Sequence, residues 1–112
     1  MPRKQPDPFR TVEGRIERYL DSAEDWEFWK PGVYLERLSD TSENTRTLAH
    51  RMVEGWIRWL SSLNRALLRG RMNQEQEARF RKIATRAGPY LKRAAAAGFM
   101  VRDDLFQTSR RG

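Results

Sequence analysis

Between residues 40 and 70 apolar side chains recur every three or four positions. Leu48, Met52, Trp56, Trp59, Leu63 and Leu67 form one stripe, and Val53, Ile57, Leu60 and Leu68 form a second beside it. At about 100° per residue the two stripes cover an arc of roughly 200°, wider than a helix lying on a protein surface needs. The spacing predicts a long central helix packed on two sides, or one that shares a dimer interface. Asp40-Thr41-Ser42-Glu43 reads as its capping box and Gly70 as its stop.

Asn73-Gln74-Glu75-Gln76 offers a second cap. Phe80, Ile83, Ala84, Ala87, Leu91, Ala94 and Ala95 then continue at helical spacing. Gly88-Pro89 predicts a break or kink, and Gly98 an end. Phe99, Met100 and Val101 are expected to fold back on the core. The short connection from Gly70 to Asn73 makes this helix an antiparallel neighbour of the central one.

The N-terminal third is less regular. Asp7-Pro8 reads as a helix start, with Asp as cap and Pro at the first helical position. Val12, Ile16, Tyr19, Leu20 and Ala23 predict a first helix to about Ser22. A short acidic turn carrying Trp26, Phe28 and Trp29 follows, ended by Pro31-Gly32. Val33, Tyr34, Leu35 and Leu38 are too few to choose between helix and extended chain. The expected fold is all-α: a small bundle of about four to five helices with a long central helix and an antiparallel C-terminal helix hairpin. Residues 1–6 read as a flexible basic arm, 7–106 as a single helical domain and 107–112 as a disordered tail. Neither an internal repeat nor strand-like alternation is present.

Composition narrows the class. A chain of 112 residues has room for one modest core. With 38% apolar and 33% charged residues it is polar for a globular protein, but four Trp, five Phe and three Tyr are too many for a solvated linker. There is no Cys, so neither disulfide nor thiol chemistry. The longest apolar stretch, Ala94 to Val101, falls far short of the ~20 residues that span a bilayer, and no apolar signal region follows Met1. A cytoplasmic location is expected by elimination, with no membrane partner.

The net charge of +7 is unevenly placed: +2 over residues 1–12, −5 over 13–43 and +10 over 44–112. Such a split points to an anionic partner for the basic segment, or to attraction between the two blocks within the fold. Most of the bases are Arg, whose donor fork suits phosphate and carboxylate.

Catalytic signatures are missing from this picture. His50 is the only histidine, which excludes zinc sites of ordinary composition and di-iron bundles. His50 and Glu54 share a helical face and are expected to pair as surface ions. No Gly-rich phosphate loop is present. The expectation is a protein that is not an enzyme and carries neither cofactor nor metal.

The basic faces say more. Arg51, Arg58, Arg65 and Arg69 lie within about 40° of one another on the central helix, opposite the apolar arc. Arg79, Lys82 and Arg86 share a face of the next helix, joined by Arg93 if the Pro89 kink is mild, and Arg71 sits in the connection. Only Glu54 and Glu75 interrupt these rows, where surfaces normally alternate sign. If the helices are antiparallel neighbours, the rows merge into one cationic strip able to track several phosphates. The second helix offers mainly charge and alanine, which favours contact with a backbone over readout of bases. Trp56 and Trp59 fall within the apolar arc and read as core. Trp26 and Trp29 read as packing onto the bundle or, as a functional alternative, as a partner-binding hot spot.

The leading expectation is therefore an accessory subunit that binds nucleic-acid backbone, independent of sequence, within a larger nucleoprotein complex. In size, charge and helical character, and through no particular motif, the chain resembles the small subunits of CRISPR effector complexes, which line a strand with Arg and Lys. The alternative is a protein-binding adaptor or inhibitor, of the kind encoded by phages or mobile elements, acting through its Trp-rich and Arg-rich surfaces. A homodimer would account for the wide apolar arc under either.

Overall fold

The computed structural model describes residues 12–111, and the side chains of all of these except Val12, Glu13, Glu27, Phe28, Trp29 and Arg111. The N-terminal arm and the Asp7-Pro8 start lie outside the described residues. Five helices follow in order: α1 (Val12–Trp29), α2 (Pro31–Arg37), α3 (Glu43–Leu68), α4 (Gln74–Ala96) and α5 (Asp103–Arg111). The described part of the protein is all-helical, without a strand.

Sequence and neighbours together set each boundary. α1 does not stop near Ser22: Ile16, Leu20, Ala23 and Trp26 form one buried stripe, so a single helix runs on through the acidic segment. α1 ends at Trp29, just before Pro31 as expected, and Pro31 also begins α2, at a position where its missing N–H has no partner to lose. The segment left open between helix and extended chain is helical, with Tyr34 and Leu35 buried. The α3 cap is Ser42, whose hydroxyl accepts from the Thr45 N–H at 3.4 Å. Asp40, expected as the cap, accepts instead from the Ser42 N–H at 2.9 Å, one step outside the helix.

Both long helices end in the same way. Gly70 (φ +68°) and Gly98 (φ +100°) take the left-handed conformation that favours glycine. The next residues, Arg71 and Phe99, donate back to the carbonyls of Ala66 and Ala94 at 2.9 and 3.0 Å, satisfying acceptors at the ends of α3 and α4. α4 opens with the expected capping box, Gln76 N–H to Asn73 Oδ1 at 2.8 Å and Asn73 N–H to Gln76 Oε1 at 3.0 Å. Pro89 lies inside α4 and does not end it.

The core gathers Leu20, Val53, Trp56, Leu60, Leu63, Phe80, Ile83, Leu91 and Leu105 from four helices. α3 and α4 each pack against all the other helices. Trp26 stacks on Tyr34 (centroids 5.9 Å apart), tilts against Trp56 (5.1 Å) and meets Trp59 edge-on (6.3 Å), joining α1, α2 and α3 in one aromatic cluster. The indole N–H groups of Trp26 and Trp56 find no acceptor there, a cost set against a large buried ring area. The apolar arc of α3 is not buried over its full width: Leu48 and Leu68, at opposite ends of the helix, are 50% and 61% exposed.

The tail expected from residue 107 is corrected by α5. Leu105 is fully buried, and Thr108 and Ser109 are buried polar residues that hydrogen-bond back to the carbonyls of their own helix. Thr108 also donates to Asn64 Oδ1 at 2.6 Å, while Asn64 Nδ2 donates to Asp104 Oδ1 at 3.2 Å. Polar side chains anchor this helix, which is why an apolar periodicity did not reveal it.

Candidate anion-binding surface

The site begins with one helix face. Arg51, Arg58, Arg65 and Arg69 are all exposed on α3, on the side away from the core, as a 3.6-residue period requires when Val53, Trp56 and Leu60 point inward. Arg58 pairs with Glu54 one turn earlier at 3.1 Å. Arg65 and Arg69 carry no such neighbour. They line a groove of about 260 Å³ between α1 and α3, together with Arg15 from α1 and Arg71 from the glycine-ended connection.

Three elements thus bring four guanidinium groups to one groove. Tyr19 and Ser62 add hydroxyls, and among the described residues no carboxylate lines it. Among the described residues none of the four arginines forms an ion pair. Like charges gathered without counter-ions raise the local positive potential and attract an anion.

On α4 the row divides. Arg79 turns away from solvent and spans three carboxylates of α1: Glu17 at 2.9 Å, Asp21 at 2.8 Å and Glu24. Burial alone would lower its pKa; the hydrogen bonds it donates to Asp21 and Glu24, the Glu24 charge and then the hydrogen bond to Glu17 outweigh that and raise it, so the guanidinium stays charged at any working pH. Glu17 also accepts from Gln76 Nε2 at 2.8 Å, which ties the α4 capping box to α1. Arg79 is therefore a cross-helix clamp and is withdrawn from the anion-binding row. Lys82, Arg86 and Arg93 remain exposed, with the Arg93 guanidinium 6.0 Å from the centre of the Tyr90 ring.

The two rows do not merge. α1 lies between them, its Glu17–Asp21–Glu24 flank against α4 and its Arg15–Tyr19 flank against α3. On the opposite side α5 packs on both long helices. Spacing along a helix shows which residues share a face but not which neighbour covers its edge. That is why Arg79 was misplaced and why Arg15, Tyr19 and Ser62 were missed.

Trp26 is 5% exposed and belongs to the core, so it is no surface anchor. The Trp29 side chain lies outside the described residues. His50 and Glu54 do not pair: Glu54 is held by Arg58, and the His50 ring packs on Phe99 with centroids 4.6 Å apart. That ring pair borders a second groove, of about 530 Å³, which shares Ser62 and Arg65 with the first. Among the described residues no cluster of three or more candidate metal ligands forms, and no helix is long and apolar enough to cross a membrane.

Comparison with protein-family models, with curated proteins and with solved structures finds no match to this chain.

Proposed function

We propose that this protein binds the phosphate backbone of a nucleic acid, independent of sequence, as a non-catalytic cytoplasmic subunit of a larger nucleoprotein complex. The observation that carries this reading is the groove between α1 and α3, where Arg15, Arg65, Arg69 and Arg71 converge with no carboxylate among the described residues that line it. In this reading the long α3 is the central scaffold, and its antiparallel pairing with α4 holds the glycine-ended connection, and with it Arg71, at the groove. Arg58, beside Arg65 on the same face, extends the surface along α3. Arginine forks suit phosphate oxygens, and the two hydroxyls supply neutral donors. For the alternative, a protein-binding adaptor or inhibitor, the burial of Trp26 removes one of the two tryptophans it would act through.

The test is fluorescence anisotropy with labelled oligonucleotides of unrelated sequence at ~50 mM salt, where backbone binding is strong. Binding of all sequences with similar affinity is expected, and Arg65→Glu with Arg69→Glu should weaken it about tenfold or more for each of them. Absence of binding at that salt concentration would sink the reading.

A further inference from the structure

The second groove differs in kind from the first. It is bordered on one side by Arg58, Ser61 and Arg65 of α3 and on the other by the Gly98–Met100 segment, with His50 and Phe99 at one end. His50 is exposed, and its ring lies tilted by 33° against that of the half-buried Phe99. Met100 is 92% exposed, the most exposed large apolar residue described. The left-handed turn at Gly98 directs this segment across the groove instead of continuing α4. Glu54, the one carboxylate among the described residues that line it, is engaged by Arg58, which leaves Arg65 to face an anion.

Flat aromatic and thioether surfaces beside a cationic ridge match a particular chemistry. A duplex shows a protein its phosphates and base edges, while its base faces are stacked inside. An unpaired strand offers a phosphate and an open base face together. We infer that this groove holds an unpaired nucleotide, its base on the His50–Phe99–Met100 surface and its phosphate at Arg65, so that the partner of this protein is a single strand. The inference rests on the backbone-binding reading and adds to it the class of nucleic acid. The shared position of Arg65 and Ser62 makes the two grooves one path, the first reading phosphates and the second testing for a free base.

The test compares a single-stranded oligonucleotide with a duplex of the same length and sequence, by anisotropy at fixed salt. Wild-type protein should bind the single strand more tightly. His50→Ala and Met100→Ser alter exposed side chains and leave the core intact. His50→Ala should weaken single-strand binding about five- to tenfold, since stacking on one aromatic contributes on this scale, and Met100→Ser should weaken it by less, while duplex affinity stays unchanged in both. His50→Phe keeps a flat ring and should retain the preference. Equal affinity of the wild type for both forms, or equal losses on both forms in the variants, overturns this inference and leaves backbone binding standing. Failure to bind either form overturns both.

Discussion

Arg79 ties α4 to α1 through three carboxylates. Its side chain is 27% exposed and touches Glu17, Asp21 and Glu24, one carboxylate from each successive turn of α1. Removing it does more than delete three ion pairs: it leaves three like charges facing a helix with nothing to balance them. Partial exposure screens that repulsion, so the loss is moderate. Arg79→Ala is expected to destabilise the fold by about 1–2 kcal/mol, read as a lower urea midpoint with unchanged slope, whereas Arg86→Ala should fall within about 0.5 kcal/mol of wild type. Equal effects of the two would mean that the clamp contributes nothing. The contrast also marks what residue spacing conveys. Arg79 and Arg86 look alike in sequence, seven apart on one face; only the acidic flank of α1 separates a clamp from a solvated cation. Arg15 is the converse, an arginine beside a core stripe that becomes part of a groove because α3 lies alongside it.

At the scale of elements, the helix ends were the most legible features. Gly70, Gly98 and the Asn73–Gln76 box act locally, through hydrogen bonds within a few residues, and local chemistry is what a sequence displays. α5 was illegible for the opposite reason: its anchor is the Asn64–Thr108–Asp104 network, between residues 40 and 44 positions apart. Asn64→Ala removes one of the two acceptors of the buried Thr108 hydroxyl and one of the donors to Asp104, and so loosens the tie of α5 to α3. The cost should be about 1–3 kcal/mol, and hydrogen exchange should accelerate selectively in α5 amides; uniform acceleration across α3 and α4 would show that the network holds the whole fold instead. α3 contains a weakness of another sort. Gly55 sits in mid-helix, and a Cβ added there meets no atom within 4 Å. Gly55→Ala should therefore stabilise the protein by about 0.5–1 kcal/mol, since helical glycine is entropically unfavourable and no packing depends on it. A lower melting temperature would reveal a close approach that the present packing does not contain.

On the proposed reading, the shape of the whole molecule decides how many phosphates one strand could touch. It measures 56 × 31 × 19 Å, and among its exposed cations two sets bear on the proposed binding, the α3 groove and the Lys82–Arg86–Arg93 face of α4. The acidic flank of α1 stands between them, so a strand seated on both would have to pass three carboxylates. If a strand uses the α3 groove alone, four arginines meet about four phosphates, and log K should fall against log salt with a slope of about −2.8 for a single strand. If it also wraps onto α4, seven contacts steepen that slope to about −4.9. Paired charge reversals supply an independent measure. Arg65→Glu and Arg69→Glu alter one groove and should couple strongly, each weakening what the other still holds. Arg65→Glu and Arg86→Glu sit on separate faces, and their effects on binding should show no coupling beyond about 0.5 kcal/mol, with Arg86→Glu alone close to silent. A shallow slope together with a silent Arg86→Glu places a single track along α3 and frees the α4 face for contact with a neighbouring subunit. A steep slope with a damaging Arg86→Glu means that the strand crosses α1, and the acidic ladder is then a barrier that binding must overcome.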